Sequence, residues 1–170
     1  MGESPVITAR DLKIDPVFRA ARVGGMPQEA MLTTLAPSNG SRTIRIRIEA
    51  NGSSPPWLDA LLDRIGDIAG LETGWDSYNG RPPAPGCIAR AIDVVSDTLM
   101  EFDHLRPTIV PTPAGNIQIE LQSGAESLEI HVSLDEVIAL YEDTGRQIEW
   151  EAPLSQRRED VRQILMRWPS

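Results

Sequence analysis

The hydrophobic period of this chain changes once, near residue 106, and the change restricts the fold more than any other feature. Before it, Trp57, Leu58, Leu61, Leu62, Ile65 and Ile68 recur at helical spacing, and Ile88, Ala91, Ile92, Val95 and Leu99 share one face of a second helix. After it, Ile117, Ile119 and Leu121 alternate with Gln118, Glu120 and Gln122, and Leu128, Ile130 and Val132 follow the same period of two. Such alternation buries one face of an antiparallel sheet and leaves the other to solvent. Helices followed by a meander predict an α+β fold: an antiparallel sheet of four to five strands packed against two to three helices.

Glycine and proline mark the boundaries. Asn51-Gly52-Ser53-Ser54-Pro55-Pro56 supplies a break, an N-cap and prolines ahead of a helix over 55–69, which Gly70 ends. Pro85 opens the second helix, with Asp93 and Asp97 on its polar side. Pro107-Thr108-Ile109-Val110-Pro111 reads as a short edge segment. Asn116–Gln122 and Ser127–Ser133 form a hairpin through Ser123-Gly124-Ala125-Glu126, and Val137–Glu142 and Arg146–Trp150 are joined by Asp143-Thr144-Gly145. Ser155–Trp168 is an amphipathic helix capped by Ser155, with Val161, Ile164, Leu165 and Trp168 as its apolar stripe.

Upstream, Ile44, Ile46 and Ile48 alternate with Arg45, Arg47 and Glu49 in a half-buried strand, so the single α+β domain is expected to span 41–170. Residues 1–40 read differently. Pro5, Pro16, Gly24-Gly25, Pro27, Pro37 and Gly40 interrupt every apolar stretch, leaving Val17–Val23 and Gln28–Leu32 as single helical turns at most. This segment is either a poorly ordered terminus or an arm that docks against the body or a second subunit. Val6, Ile7, Leu12, Ile14, Val17, Phe18, Met31, Leu32 and Leu35 make it more apolar than a solvated tail.

At 170 residues with 41% hydrophobic and 24% charged content, the chain is long enough to enclose a core. It holds no apolar run of membrane-spanning length, and its start lacks the basic and apolar regions of a secretory signal, so a cytoplasmic protein is expected. The lone Cys87, with only His104 and His131 beside it, supports neither a disulfide nor a Cys/His zinc cluster, and no metal or cofactor is expected. Residues 118–170 carry eleven acidic and five basic groups and residues 51–117 nine and four, whereas residues 1–50 carry seven basic and five acidic groups. An acidic body repels phosphate backbones, which argues against direct nucleic-acid binding and favours a basic protein partner.

The segment Gly74-Trp75-Asp76-Ser77-Tyr78-Asn79-Gly80, before Arg81-Pro82-Pro83, concentrates aromatics in a chain with four Trp, two Tyr and two Phe. Trp75, Asp76, Tyr78 and Asn79 suit a ligand-contacting loop, since aromatic faces and a carboxylate are what an Arg-rich peptide, a sugar or a base would use. They also suit a structural plug between helices and sheet, with Asp76 accepting N–H groups of its own turn and Asn79-Gly80 supplying positive φ. A second patch is read on the outward sheet positions, where Gln118, Glu120, Glu129 and His131 fall on one face. Acid–base chemistry needs a carboxylate beside such a histidine, and a solvated sheet face has the same pattern. Nucleophile-elbow, P-loop, dinucleotide-binding and zinc-protease motifs do not occur.

Gly74–Gly80 with Pro82-Pro83, followed by Val110-Pro111-Thr112-Pro113-Ala114-Gly115-Asn116-Ile117-Gln118-Ile119-Glu120 and Leu128-Glu129-Ile130, resembles a widespread set of small bacterial proteins. These carry a Trp-Asp-x-Tyr loop before a proline pair and a later Pro-x-Pro-x-Gly turn entering a strand. The resemblance covers about residues 55–135; it implies a bacterial or phage origin and a compact module, and it carries over no catalytic residue. The expected function is a protein-binding accessory, antitoxin or immunity-like component of a bacterial or mobile-element system. Its contacts would be Trp75, Asp76, Tyr78, Glu120, Glu129 and His131. The alternatives are an enzyme using Asp76 with Tyr78, or His131 with Glu120, and a homo-oligomeric structural module.

Overall fold

The apolar residues of helical spacing and those of alternating spacing become the two facing layers of one structure. The computed structural model describes residues 55–169 and, as backbone strands only, Val6–Thr8 (β1), Gln28–Thr33 (β2) and Thr43–Ala50 (β3). The last three form a separate sheet in the order β1-β3-β2, with β1 parallel and β2 antiparallel to the central β3. The expected helical turn at Gln28–Leu32 is therefore corrected to a strand. Gln, Glu, Ala, Met and Leu favour a helix locally, but all of β2 pairs with β3, and pairing overrides propensity. The expectation for Val17–Val23 lies outside the described residues.

The larger sheet is a meander, β4 (Thr108–Pro111), β5 (Ile117–Ser123), β6 (Glu126–Val132), β7 (Val137–Asp143) and β8 (Ile148–Pro153), in sequence order and antiparallel throughout. With α1 (Leu58–Ala69), α2 (Pro85–Thr98) and α3 (Leu154–Arg167), it makes the α+β fold that the change of period predicts. The helices all lie on one side: α1 contacts β4, α2 contacts β5 and β6, and α3 contacts β7 and β8. Against them the inner residues Ile117, Ile119, Leu121, Leu128, Ile130, Val132, Ala139 and Tyr141 are buried. Each large aliphatic side chain enclosed this way contributes roughly 1.5–3 kcal/mol by leaving water.

Local signals explain most element ends. Gly70 stops α1, its N–H bonding Gly66 O and Asp67 O, and Pro85 begins α2 as its first residue. Two caps differ from expectation. Trp57 holds the N-cap of α1 and Pro153 that of α3, and neither helix has a side-chain cap; Ser155 lies inside the first turn. At α1 the indole Nε1 of Trp57 instead donates to Phe102 O at 2.9 Å, tying the helix start to the segment after α2. The last strand begins later than its composition suggests. Asp143, buried at the end of β7, accepts from Arg146 N at 3.0 Å and holds the turn, so pairing resumes at Ile148.

The C-terminal helix is fastened by one carboxylate. Glu126 Oε2 accepts from Tyr141 Oη at 2.7 Å, Arg167 Nη2 at 2.7 Å and Trp168 Nε1 at 2.9 Å. Burial pushes the Glu126 pKa up, but those three hydrogen bonds and the Arg167 charge outweigh it and hold the value at about 2. Burial and the bond to Glu126 push Tyr141 up to about 12.

Candidate functional site

The side of the sheet away from the helices is built by the even-numbered residues of β5 and β7 and the odd-numbered residues of β6 and β8. Register places Gln118 opposite His131, Glu120 opposite Glu129 and Gln122 opposite Ser127. It continues with Glu129 opposite Leu140, His131 opposite Ile138 and Ser127 opposite Glu142, then Glu142 opposite Glu149 and Leu140 opposite Glu151. This outer face thus carries Glu120, Glu129, Glu142, Glu149 and Glu151, while no outward position of β4–β8 is Arg or Lys. Four of these glutamates form two directly opposed pairs, Glu120 with Glu129 and Glu142 with Glu149. Like charges so placed weaken a strand pair by up to about 1 kcal/mol, so fold stability alone does not account for them.

The four residues expected as a patch are joined. Gln118 Nε2 donates to Glu120 Oε1 at 3.1 Å and to Glu129 Oε2 at 2.9 Å, placing an amide between the two carboxylates. His131 Nε2 lies 3.1 Å from the same Glu129 oxygen. The His131 and Glu129 side chains are 45% and 42% exposed, so the group lies open on the face and outside any enclosed cavity. A histidine oriented by a carboxylate can exchange protons with a bound molecule; on an open sheet it equally offers a hydrogen-bonded, negatively charged surface.

The aromatic loop stands at one end of this sheet. Ile117 and Val132 form the final pair of β5 and β6, which places the Thr112–Asn116 and Ser133–Glu136 turns together, and Arg81 N bonds Pro113 O at 3.0 Å to bring the loop to them. Within the loop, Asp76 Oδ1 accepts from Tyr78 N and Gly80 N, each at 2.9 Å, and these N–H bonds lower its pKa. Gly74 N bonds Gly80 O at 2.8 Å, and Trp75 Nε1 donates to Arg81 O at 3.2 Å. Gly80 is required by contact: a Cβ there would sit 2.7 Å from the Asp76 carboxyl carbon.

Two features of the loop differ from the plug reading. Positive φ falls at Gly74 (83°) and Ser77 (68°), leaving both Asn79 and Gly80 on the ordinary side. Tyr78 is 84% exposed, and Trp75 is half-buried outside the core cluster, because the two helices and the sheet already close the space with Ile65, Ile88 and Ile119. Only Asp76 acts as that reading requires. Leu134, in the neighbouring turn, is 55% exposed, so this end presents an aromatic and an aliphatic side chain beside the acidic face.

Among the described residues, no three His, Cys, Asp or Glu side chains are grouped so that they could hold a metal ion, and no helix is long and apolar enough to cross a membrane. Cys87 is buried, with Sγ donating to Val132 O at 3.0 Å, and burial raises its pKa. The Glu126 cluster and the direct Glu–Glu oppositions were not legible beforehand, since both depend on register and on partners distant in sequence. No family model, no curated protein and no solved structure matches the chain, so the functional reading rests on the geometry above.

Proposed function

We propose that the chain is a protein-binding component that receives a basic protein partner on the outer sheet face, as an accessory, antitoxin or immunity-like subunit would. The observation that carries this reading is the direct opposition of Glu120 with Glu129 and of Glu142 with Glu149 on a face without Arg or Lys. Such a face attracts a cationic surface, and the cost of holding like charges together is relieved once guanidinium or ammonium groups approach. Ile138 and Leu140, half-buried between the carboxylates, supply apolar area for close contact. Tyr78, displayed on a loop fixed by hydrogen bonds, is an anchor whose backbone is already ordered before binding.

The test is affinity capture from host extract using the wild-type chain and a Glu120→Gln, Glu129→Gln, Glu149→Gln variant. A basic protein recovered by the first, and lost from both the variant and a high-salt wash, supports the reading. Recovery of the same protein by the variant overturns it.

One observation favours a second reading, an acid–base enzyme: the His131, Glu129, Gln118 and Glu120 hydrogen-bonded group. Its openness favours binding over catalysis, because acid–base catalysis depends on a site that excludes water. Turnover of a small molecule abolished by His131→Gln, with partner capture intact, would establish it instead.

A further inference from the structure

A groove of about 610 Å³ runs between α1 and the edge strand β4. Its accessible apolar surface comes from Pro56, Ala60, Pro107 and Val110, over the buried Trp57, Leu61 and Ile109, and its charged residues are Arg64 and Arg106. We infer that this groove binds a small apolar carboxylate, the hydrocarbon body lying against Pro56, Ala60 and Val110 and the carboxylate meeting the Arg64 and Arg106 guanidinium groups.

Both arginines are positioned. Arg64 Nε donates to Ile109 O at 3.4 Å, and Arg106 Nη1 donates to Leu105 O at 2.7 Å and His104 O at 3.3 Å. These contacts engage one nitrogen of each group and leave others to meet an anion. In a chain of net charge −9, acidic partners are plentiful, and Arg146, Arg157, Arg158, Arg162 and Arg167 each have one. Among the described residues Arg64, Arg81, Arg90 and Arg106 have none within 4 Å, and of these only Arg64 and Arg106 line this groove. Guanidinium groups beside apolar walls suit a carboxylate, which either can meet through two parallel N–H bonds, and the volume lies within the roughly 300–1,000 Å³ typical of small-molecule sites.

The free edge of β4 raises a competing occupant, an added peptide strand. That edge is poorly suited to it: the strand is four residues long, contains Pro111, follows Pro107, and its Ile109 carbonyl is already bonded by Arg64. A compact ligand needs none of those backbone groups.

The experiment is a titration of the full chain, followed through its amide and indole N–H resonances, with octanoate and with octanamide, which has the same body and no charge. Octanoate is expected to shift Ile109, Val110 and the Trp57 indole saturably at micromolar to low-millimolar concentration, with octanamide at least tenfold weaker. Arg106→Gln and Arg64→Gln should each weaken octanoate at least tenfold; should Arg64→Gln misfold, Arg106→Gln and the octanamide comparison decide. Equal binding of acid and amide, shifts that never saturate, or octanoate binding unchanged in Arg106→Gln would overturn the inference. So would saturable binding of an acidic peptide where octanoate fails, which would assign the groove to a macromolecule.

Discussion

Glu142 of β7 and Glu149 of β8 are direct cross-strand neighbours on the outer face, two like charges where an opposite pair would bind the strands more firmly. Glu149→Lys is accordingly expected to stabilise the fold, by about 0.5 kcal/mol, while weakening capture of a basic partner. Thermal melting and partner binding on the same preparation check it. A lysine that destabilises the fold, or that leaves capture unchanged, would remove the argument that these glutamates are kept for binding.

The loop allows stability and binding to be separated. Tyr78→Ala removes a side chain that is 84% exposed and should leave the melting temperature within experimental scatter while accelerating partner dissociation. Gly80→Ala should do the reverse through the fold: its Cβ meets the Asp76 carboxylate at 2.7–2.9 Å, and relief of that clash costs about 1–3 kcal/mol. Trp75→Ala should cost less than the about 3–5 kcal/mol of a fully buried aromatic, since Trp75 lies outside the core cluster. Calorimetry of the three variants tests the ranking.

The clamp at Glu126 makes stability depend on pH at both ends. Its folded pKa, about 2, lies below the ordinary 4.5, so its contribution is complete above about pH 5 and is lost as pH falls toward 2. The size is about 3 kcal/mol at neutral pH. Tyr141, raised to about 12, contributes fully below pH 10 and loses that contribution as pH rises from 10 through 12. Denaturant titrations at a series of pH values should show the acid loss in the wild type and a much smaller one in Glu126→Gln, which starts from lower stability. An acid slope unchanged in Glu126→Gln would refute the assignment.

Which parts of this structure were legible beforehand follows from the range of each signal. Alternation in Ile117–Leu121 and Leu128–Val132 identifies faces locally, because a strand turns its side chains over every residue. Pro85 and Gly70 mark helix ends through their own backbone chemistry. Gln28–Leu32 reads as a single helical turn at most, because its composition favours a helix and its partner strand β3 is not adjacent in sequence. The Glu126 clamp draws on Tyr141, Arg167 and Trp168, at separations of 15 to 42 residues that no spacing rule connects. Even the acidic patch was legible only as a face. That Glu120 meets Glu129 head-on required the register set by the two-residue Gly124-Ala125 connection between the strands.

Salt separates the binding reading from the catalytic one. If the outer face steers a basic partner, the association rate should fall steeply as ionic strength rises, since charges separated by more than roughly 8 Å are screened at physiological salt. Dissociation should change less, because it is governed by packing around side chains such as Tyr78, Ile138 and Leu140. Replacing Glu120 and Glu129 by glutamine removes two charges and keeps the geometry, so association should slow at low salt and lose much of its salt dependence. Stopped-flow or surface-based kinetics with the captured partner measure both rates. Association of the double variant at the wild-type rate, with an unchanged salt slope, would show that the outer face does not steer the encounter. Lost turnover with intact association would instead make Glu129 and His131 acid–base residues.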